Sequence, residues 1–187
     1  MKTALISVLI ILSSQAFAIV GDSEEAVLQS NKSYCHQSGG KVVQLTADFS
    51  SLGGSEHGIT KKFCQYQYGK QPNISIDTVG LDTLSTSPTI AATYVNELFM
   101  DPDRILPIMP YPNPSLNVCL ALHGTEIAFS SMAGGFADKY GQSDICVFGD
   151  GSSISAWSLI YAATNQRLKV KAAVRSKSLH IEIPKVL

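Results

Sequence analysis

The sequence predicts an α+β protein made of two disulfide-closed helix/β-hairpin units packed together, followed by a C-terminal β-hairpin. Three observations carry this. The four cysteines fall into two matching neighbourhoods, glycine recurs at the same distance behind each, and alternating apolar runs follow a helix signal in both halves.

The chain opens with Lys2 and an apolar run from Ala4 to Leu12 broken only by Ser7, then Ala16-Phe17-Ala18. A positive start, a short apolar core and an A-x-A site predict a signal peptide over residues 1–18, with Ala16 and Ala18 read by the peptidase. The run is too short for a bilayer core of about 30 Å, which takes roughly 20 apolar residues. No cysteine follows the cleavage site, so a lipid anchor is not expected there. Beyond Ala18 no stretch has spanning length, and no membrane span is expected.

Of the 14 lysines and arginines, Lys2 lies in the removed segment. That leaves 13 against 15 acidic residues and a mature net charge of −2. Such a balance offers no general attraction to nucleic acid. Arg167, Lys169, Lys171, Arg175, Lys177 and Lys185 make the C-terminal part locally basic, with Glu182 opposing them. They read first as the solvated face of an edge strand, and second as a contact for an anionic lipid, peptidoglycan or acidic partner.

Four cysteines in an exported chain favour two disulfides, and the absence of any C-x-x-C pair argues against zinc and thioredoxin-like chemistry. Cys35 and Cys119 each have glycine five places on (Gly40, Gly124), as do Cys64 and Cys146 (Gly69, Gly151). The separations agree as well, 29 residues in one pair and 27 in the other. Three connectivities are open to four cysteines. The repeat favours Cys35–Cys64 and Cys119–Cys146, two copies of one unit offset by 84 positions.

The resulting division is a first, degraded unit over 19–82 and a linker helix with a proline-rich segment over 83–112. A second unit over 113–165 and basic strands over 166–187 complete it. In the first unit, Asp22 or Ser23 caps a helix ending at Gly39-Gly40. Strands Lys41–Leu45 and Lys61–Tyr68 follow. In the second, Asn113-Pro114 starts a helix carrying Cys119 and ending at Gly124, ahead of strands Glu126–Phe129 and Asp144–Phe148. Each disulfide then pins a helix to the second strand of its unit. Ser87-Pro88 caps a helix through Ile90, Tyr94 and Leu98, and Trp157, Ile160 and Tyr161 lie on another. Leu168–Val174 and Leu179–Ile183 alternate as a terminal β-hairpin does.

From Asn113 to about Thr164 the chain resembles a family of exported bacterial domains of unknown function that carry a haemolysin label. The resemblance rests on Asn113, Pro114, Ser115, Cys119, Gly124, Cys146, Phe148, Asp150, Gly151, Ser152 and Trp157. Departures from the family pattern are His123, Ile154 and Ser155-Ala156. The resemblance implies an envelope or secreted protein. A lytic mechanism would need a long amphipathic or apolar segment, which the mature sequence lacks.

No catalytic, metal-binding or cofactor motif stands out. A Cys35–His36–His57 hydrolase is incompatible with an oxidised Cys35. His36, Glu56, His57 and Asp77 have no metal-ligand spacing and read as loop residues. Asp101-Pro102-Asp103 reads as a turn, and the sequons at Asn31 and Asn73 have little meaning behind a bacterial-type signal. Tyr66, Tyr68, Trp157 and Tyr161 suit a core better than a ligand groove. The expected function is a non-enzymatic envelope or secreted binding protein, with its partner held by loops Ala47–Thr60 and Ser130–Ser143. The alternatives are a protease-inhibitor-like protein and a secreted effector or enzyme with an unfamiliar site. No cofactor is called for.

Overall fold

A computed structural model describes residues 23–47, 58–69, 75–101, 113–129 and 143–185. The signal peptide with Ala16 and Ala18 lies outside them, as do Glu56, His57, Asn73, Asp103 and most of both hairpin loops. The elements, in chain order, are α1 (residues 23–37), β1 (Lys41–Ala47), β2 (Ile59–Tyr68), β3 (Ser75–Gly80), α2 (Ile90–Glu97), α3 (Pro114–Ala121), β4 (Thr125–Phe129), β5 (Ser143–Val147), β6 (Ser153–Ser155), α4 (Ala156–Ala163) and α5 (Leu168–Ala173).

The strands form one antiparallel sheet in the order β1-β2-β3-β6-β5-β4, curled into a half-barrel so that the outer strands β1 and β4 come close together. The order reads as two three-stranded sets placed back to back. Their seam is a single antiparallel pairing, Val79 with Ile154. Thr83 strengthens it: its hydroxyl donates to the Ser153 carbonyl (2.9 Å) and accepts from the Ser153 amide (3.1 Å). A Cβ on Gly80 would strike Ser153 Oγ, so the close approach of the two sets requires glycine there.

Alternation assigns the two faces. One row, Val42–Cys64–Val79–Ile154–Cys146–Glu126, crosses all six strands and faces the helices. Cys64, Val79, Ile154 and Cys146 from it join Tyr94, Val95, Leu159 and Ile160 in the main core. On the other face Leu45, Ala47, Phe63, Phe129 and Ile145 fill the inside of the curl, with the Phe63 and Phe129 rings edge to face at 5.2 Å.

Cys35 on α1 bonds Cys64 on β2, and Cys119 on α3 bonds Cys146 on β5, the pairing the repeat favours. Both helices end alike. Gly39 (φ +82°) and His123 (φ +60°) take the left-handed conformation, and the next amides, Gly40 and Gly124, return to the carbonyls of Cys35 and Cys119 at 2.8 and 2.9 Å.

Two expectations are corrected. The C-terminal β-hairpin is absent: Leu168–Ala173 is α5, and residues 174–185 carry no strand. Over six residues, alternation is compatible with a single helical turn, and Val170 and Ala173 are buried at i and i+3. The rest of this segment runs over the helix layer, where the Leu179 amide donates to Thr93 Oγ1 on α2 (2.8 Å) and no sheet edge is available. The second correction is α2, which starts after Thr89 rather than Ser87-Pro88; Thr89 Oγ1 accepts the Ala92 amide at 3.2 Å.

Candidate binding surfaces

Asp77 stands on β3, fully buried, and so is not the loop residue the sequence suggested. Its Oδ1 accepts from Arg167 (2.9 Å) and from Ser158 Oγ on α4 (3.2 Å). Its Oδ2 has no hydrogen-bond partner of ordinary geometry, although the Tyr68 hydroxyl lies near enough for each group to influence the other's proton affinity. Burial outweighs the neighbouring guanidinium and raises the Asp77 pKa. Burial and the Asp77 charge push Tyr68 up to about 12, so the phenol stays protonated while its oxygen accepts the Lys169 amide at the start of α5 (3.0 Å).

Above the carboxylate the cation is sandwiched. Arg167 lies 3.9 Å from the Tyr161 ring centroid and 5.5 Å from that of Tyr68, and Tyr161 stacks on Trp157. Three of the basic C-terminal residues, Arg167, Lys169 and Arg175, therefore bind earlier parts of this same chain, whereas Lys171 donates to Asn165. Lys169 donates to the Gln67 carbonyl (2.8 Å), and Arg175 donates to the Leu84 carbonyl (2.8 Å) and to Asn31 Oδ1 (2.9 Å). The expected edge strand is corrected accordingly, while Lys169, Arg175, Lys177 and Lys185 remain exposed. Tyr66 is core, its hydroxyl bonded to Ser38 (2.8 Å), whereas Trp157, Tyr161 and Tyr68 share the surface stack.

The Asp150-Gly151-Ser152 segment behind the family resemblance also has a structural task. Asp150 Oδ2 accepts the Ile90 amide (2.8 Å) and Ser152 Oγ accepts the Ala91 amide (3.0 Å), so this turn caps α2. Asn113 Oδ1 caps α3 through the Ser115 amide (3.1 Å). His36 and Asp101 are exposed, and among the described residues no group of three or more His, Cys, Asp or Glu is placed to hold a metal ion.

An open groove remains, which sequence reasoning did not anticipate. α1 begins at least twelve residues ahead of Cys35, whereas α3 begins only five ahead of Cys119. The surplus is about 10 Å of helix without a counterpart among the described residues of the second unit. Residues 23–29 overhang the start of β2 and the turn after β3, enclosing a groove of about 570 Å³. Val27, Leu28 and Leu81 supply its apolar lining, with Lys61, Lys62 and Asp82 at the rim. Val27 is 55% exposed there, in a helix otherwise anchored by Asn31 and Cys35. Lys61 is engaged by Asp82 (3.2 Å) and by the Gly151 carbonyl (2.7 Å). Lys62 is half-buried and makes no ion pair or hydrogen bond among the described residues. The available sequence signal was the unequal length of helix ahead of the first cysteine of each unit.

No family model, curated protein or solved structure matches the chain. Two disulfides suggest an extracellular or envelope protein. Among the described residues no helix is long and apolar enough to cross a membrane.

Proposed function

We propose that this is an exported, non-enzymatic binding protein of the bacterial envelope or medium, and that its ligand seats in the groove beneath the overhanging turns of α1. The observation that carries the reading is the groove itself. It has the size and apolar lining of a small-molecule site, and the Cys35–Cys64 disulfide anchors one of its walls. The ionisable groups that resemble a site, Asp77 and Arg167, are instead committed to each other and to holding α5 on the sheet. The resemblance of the second unit to exported haemolysin-labelled domains supports the location, and the repeated disulfide unit supports descent by duplication.

The test is fractionation of producing cells, followed by native mass spectrometry of the mature protein and of its Val27→Asp variant. Periplasmic or medium location, with a bound small molecule present on the wild type and missing from the variant, is expected. A cytoplasmic pool with four free thiols, or bare protein in both samples, would sink the reading.

A further inference from the structure

We infer that the groove takes a single-chain anionic amphiphile, a free fatty acid, with its alkyl chain along Val27, Leu28 and Leu81 and its carboxylate against Lys62; this rests on the groove being the binding site. The lining selects the chain. Its apolar members are aliphatic, and among the described groove residues no aromatic ring offers a platform for a sugar or a planar heterocycle.

The rim selects the head group. Lys61 and Asp82 satisfy one another, and Glu24, in the first described turn of α1, is exposed. Lys62 alone is half-buried with a charge that no described residue answers, and an ammonium without a partner is free to form a charge-assisted hydrogen bond with an incoming anion. Its aliphatic stem extends the apolar wall while its tip reaches the rim. Alkyl chain and carboxylate are thus matched at once by adjoining parts of one groove.

Isothermal titration of the mature protein, beginning at Ile19, with sodium dodecanoate below its micellar concentration tests this. Dodecyl maltoside and dodecyltrimethylammonium serve as neutral and cationic comparisons. Dodecanoate should bind the wild type. It should be lost with Val27→Asp, whose site is exposed and leaves the fold intact by circular dichroism. It should weaken roughly tenfold to a hundredfold with Lys62→Glu, which in turn should gain affinity for the cationic probe. Equal binding of the neutral and anionic probes by wild type and Lys62→Glu alike would overturn the fatty-acid assignment and leave the groove as a site. Absence of binding by all three probes would overturn both.

Discussion

Gly40 and Gly124, 84 positions apart, occupy the same place against the two disulfides. A Cβ on Gly40 would collide with Cys64 Sγ and lie 3.0 Å from Cys35 Sγ; on Gly124 it would collide with Cys146 Sγ and lie 3.0 Å from Cys119 Sγ. A disulfide sulfur held from both sides has no rotamer into which to retreat, so the backbone must move. Gly40→Ala and Gly124→Ala should each cost about 1–3 kcal/mol in urea unfolding. Gly149→Ala, where nothing lies within 4 Å of the added carbon, should stay within about 0.5 kcal/mol. Equal midpoints for all three would refute this packing.

The disulfides close loops of 29 and 27 residues. By loop entropy each stabilises by roughly 3–4 kcal/mol. Replacing Cys35 and Cys64 together by serine, or Cys119 and Cys146 together, should therefore produce losses that agree within about 1 kcal/mol. Each loss should also shrink the penalty of the matching Gly→Ala change, because that glycine then faces two separate hydroxyls. Denaturant titration of the double-mutant cycles decides it; strictly additive losses would show that the glycines are not constrained by the bridges.

Arg167 joins the C-terminal segment to the first unit through a carboxylate that is itself fully buried. Breaking one side of such a pair strands the other, at a typical cost of about 3–5 kcal/mol. Arg167→Met should approach that cost at pH 8, where an unpaired Asp77 must either stay charged in the interior or take up a proton. The sign follows from linkage. Burial already raises the Asp77 pKa, and losing the cation raises it further, so the destabilisation should grow as pH rises above the ordinary carboxylate range. Adding Asp77→Asn should recover part of the loss at pH 8. Thermal melts at pH 5 and pH 8 read this out, and a pH-independent loss would contradict it.

The outcome of reading the sequence follows the physics of each signal. Cys35, Cys64, Cys119 and Cys146 were legible because spacing and glycine placement repeat, and steric contact with the disulfides is what demands those glycines. β3 and β6, the strands that form the seam, were not. One contains Asp77 among its apolar residues and the other is three residues long, so neither presents a clear period of two. The segment from Leu168 was misread because a short Lys-interrupted run satisfies both periods, and its choice of helix depends on Val170 and Ala173 finding the core. Arg167, Lys169 and Arg175 read as solvated charges because their acceptors, Asp77, Gln67, Leu84 and Asn31, lie about 90 to 145 positions away and include backbone carbonyls. The groove depends on a helix outrunning its counterpart; the unequal helix lengths ahead of Cys35 and Cys119 foreshadow this, but they make a groove only because α1 overhangs β2 and the turn after β3.

Where the two halves differ in chemistry, the second unit carries a latent pH response. Glu126 on β4 ends the helix-facing row that Val42 begins on β1, so a carboxyl stands where its counterpart is aliphatic. Its Oε2 is buried without a hydrogen-bond partner, and Asp144, diagonal to it across the β4–β5 pair, adds a like charge. Burial first, and Asp144 second, push the Glu126 pKa up from 4.5 to about 7. A carboxyl that holds its proton more tightly when folded favours the native state below its unfolded pKa and loses that contribution as pH rises through the folded one. Stability should therefore fall between about pH 4.5 and pH 7, by an amount on the order of 1–3 kcal/mol. Glu126→Gln should flatten that part of the profile, and Glu126→Val, restoring the residue of the first unit, should raise the urea midpoint at pH 8 while changing it little at pH 5. A wild-type midpoint that climbs steadily from pH 5 to pH 8, unaltered by either substitution, would mean that Glu126 reaches water in the native state.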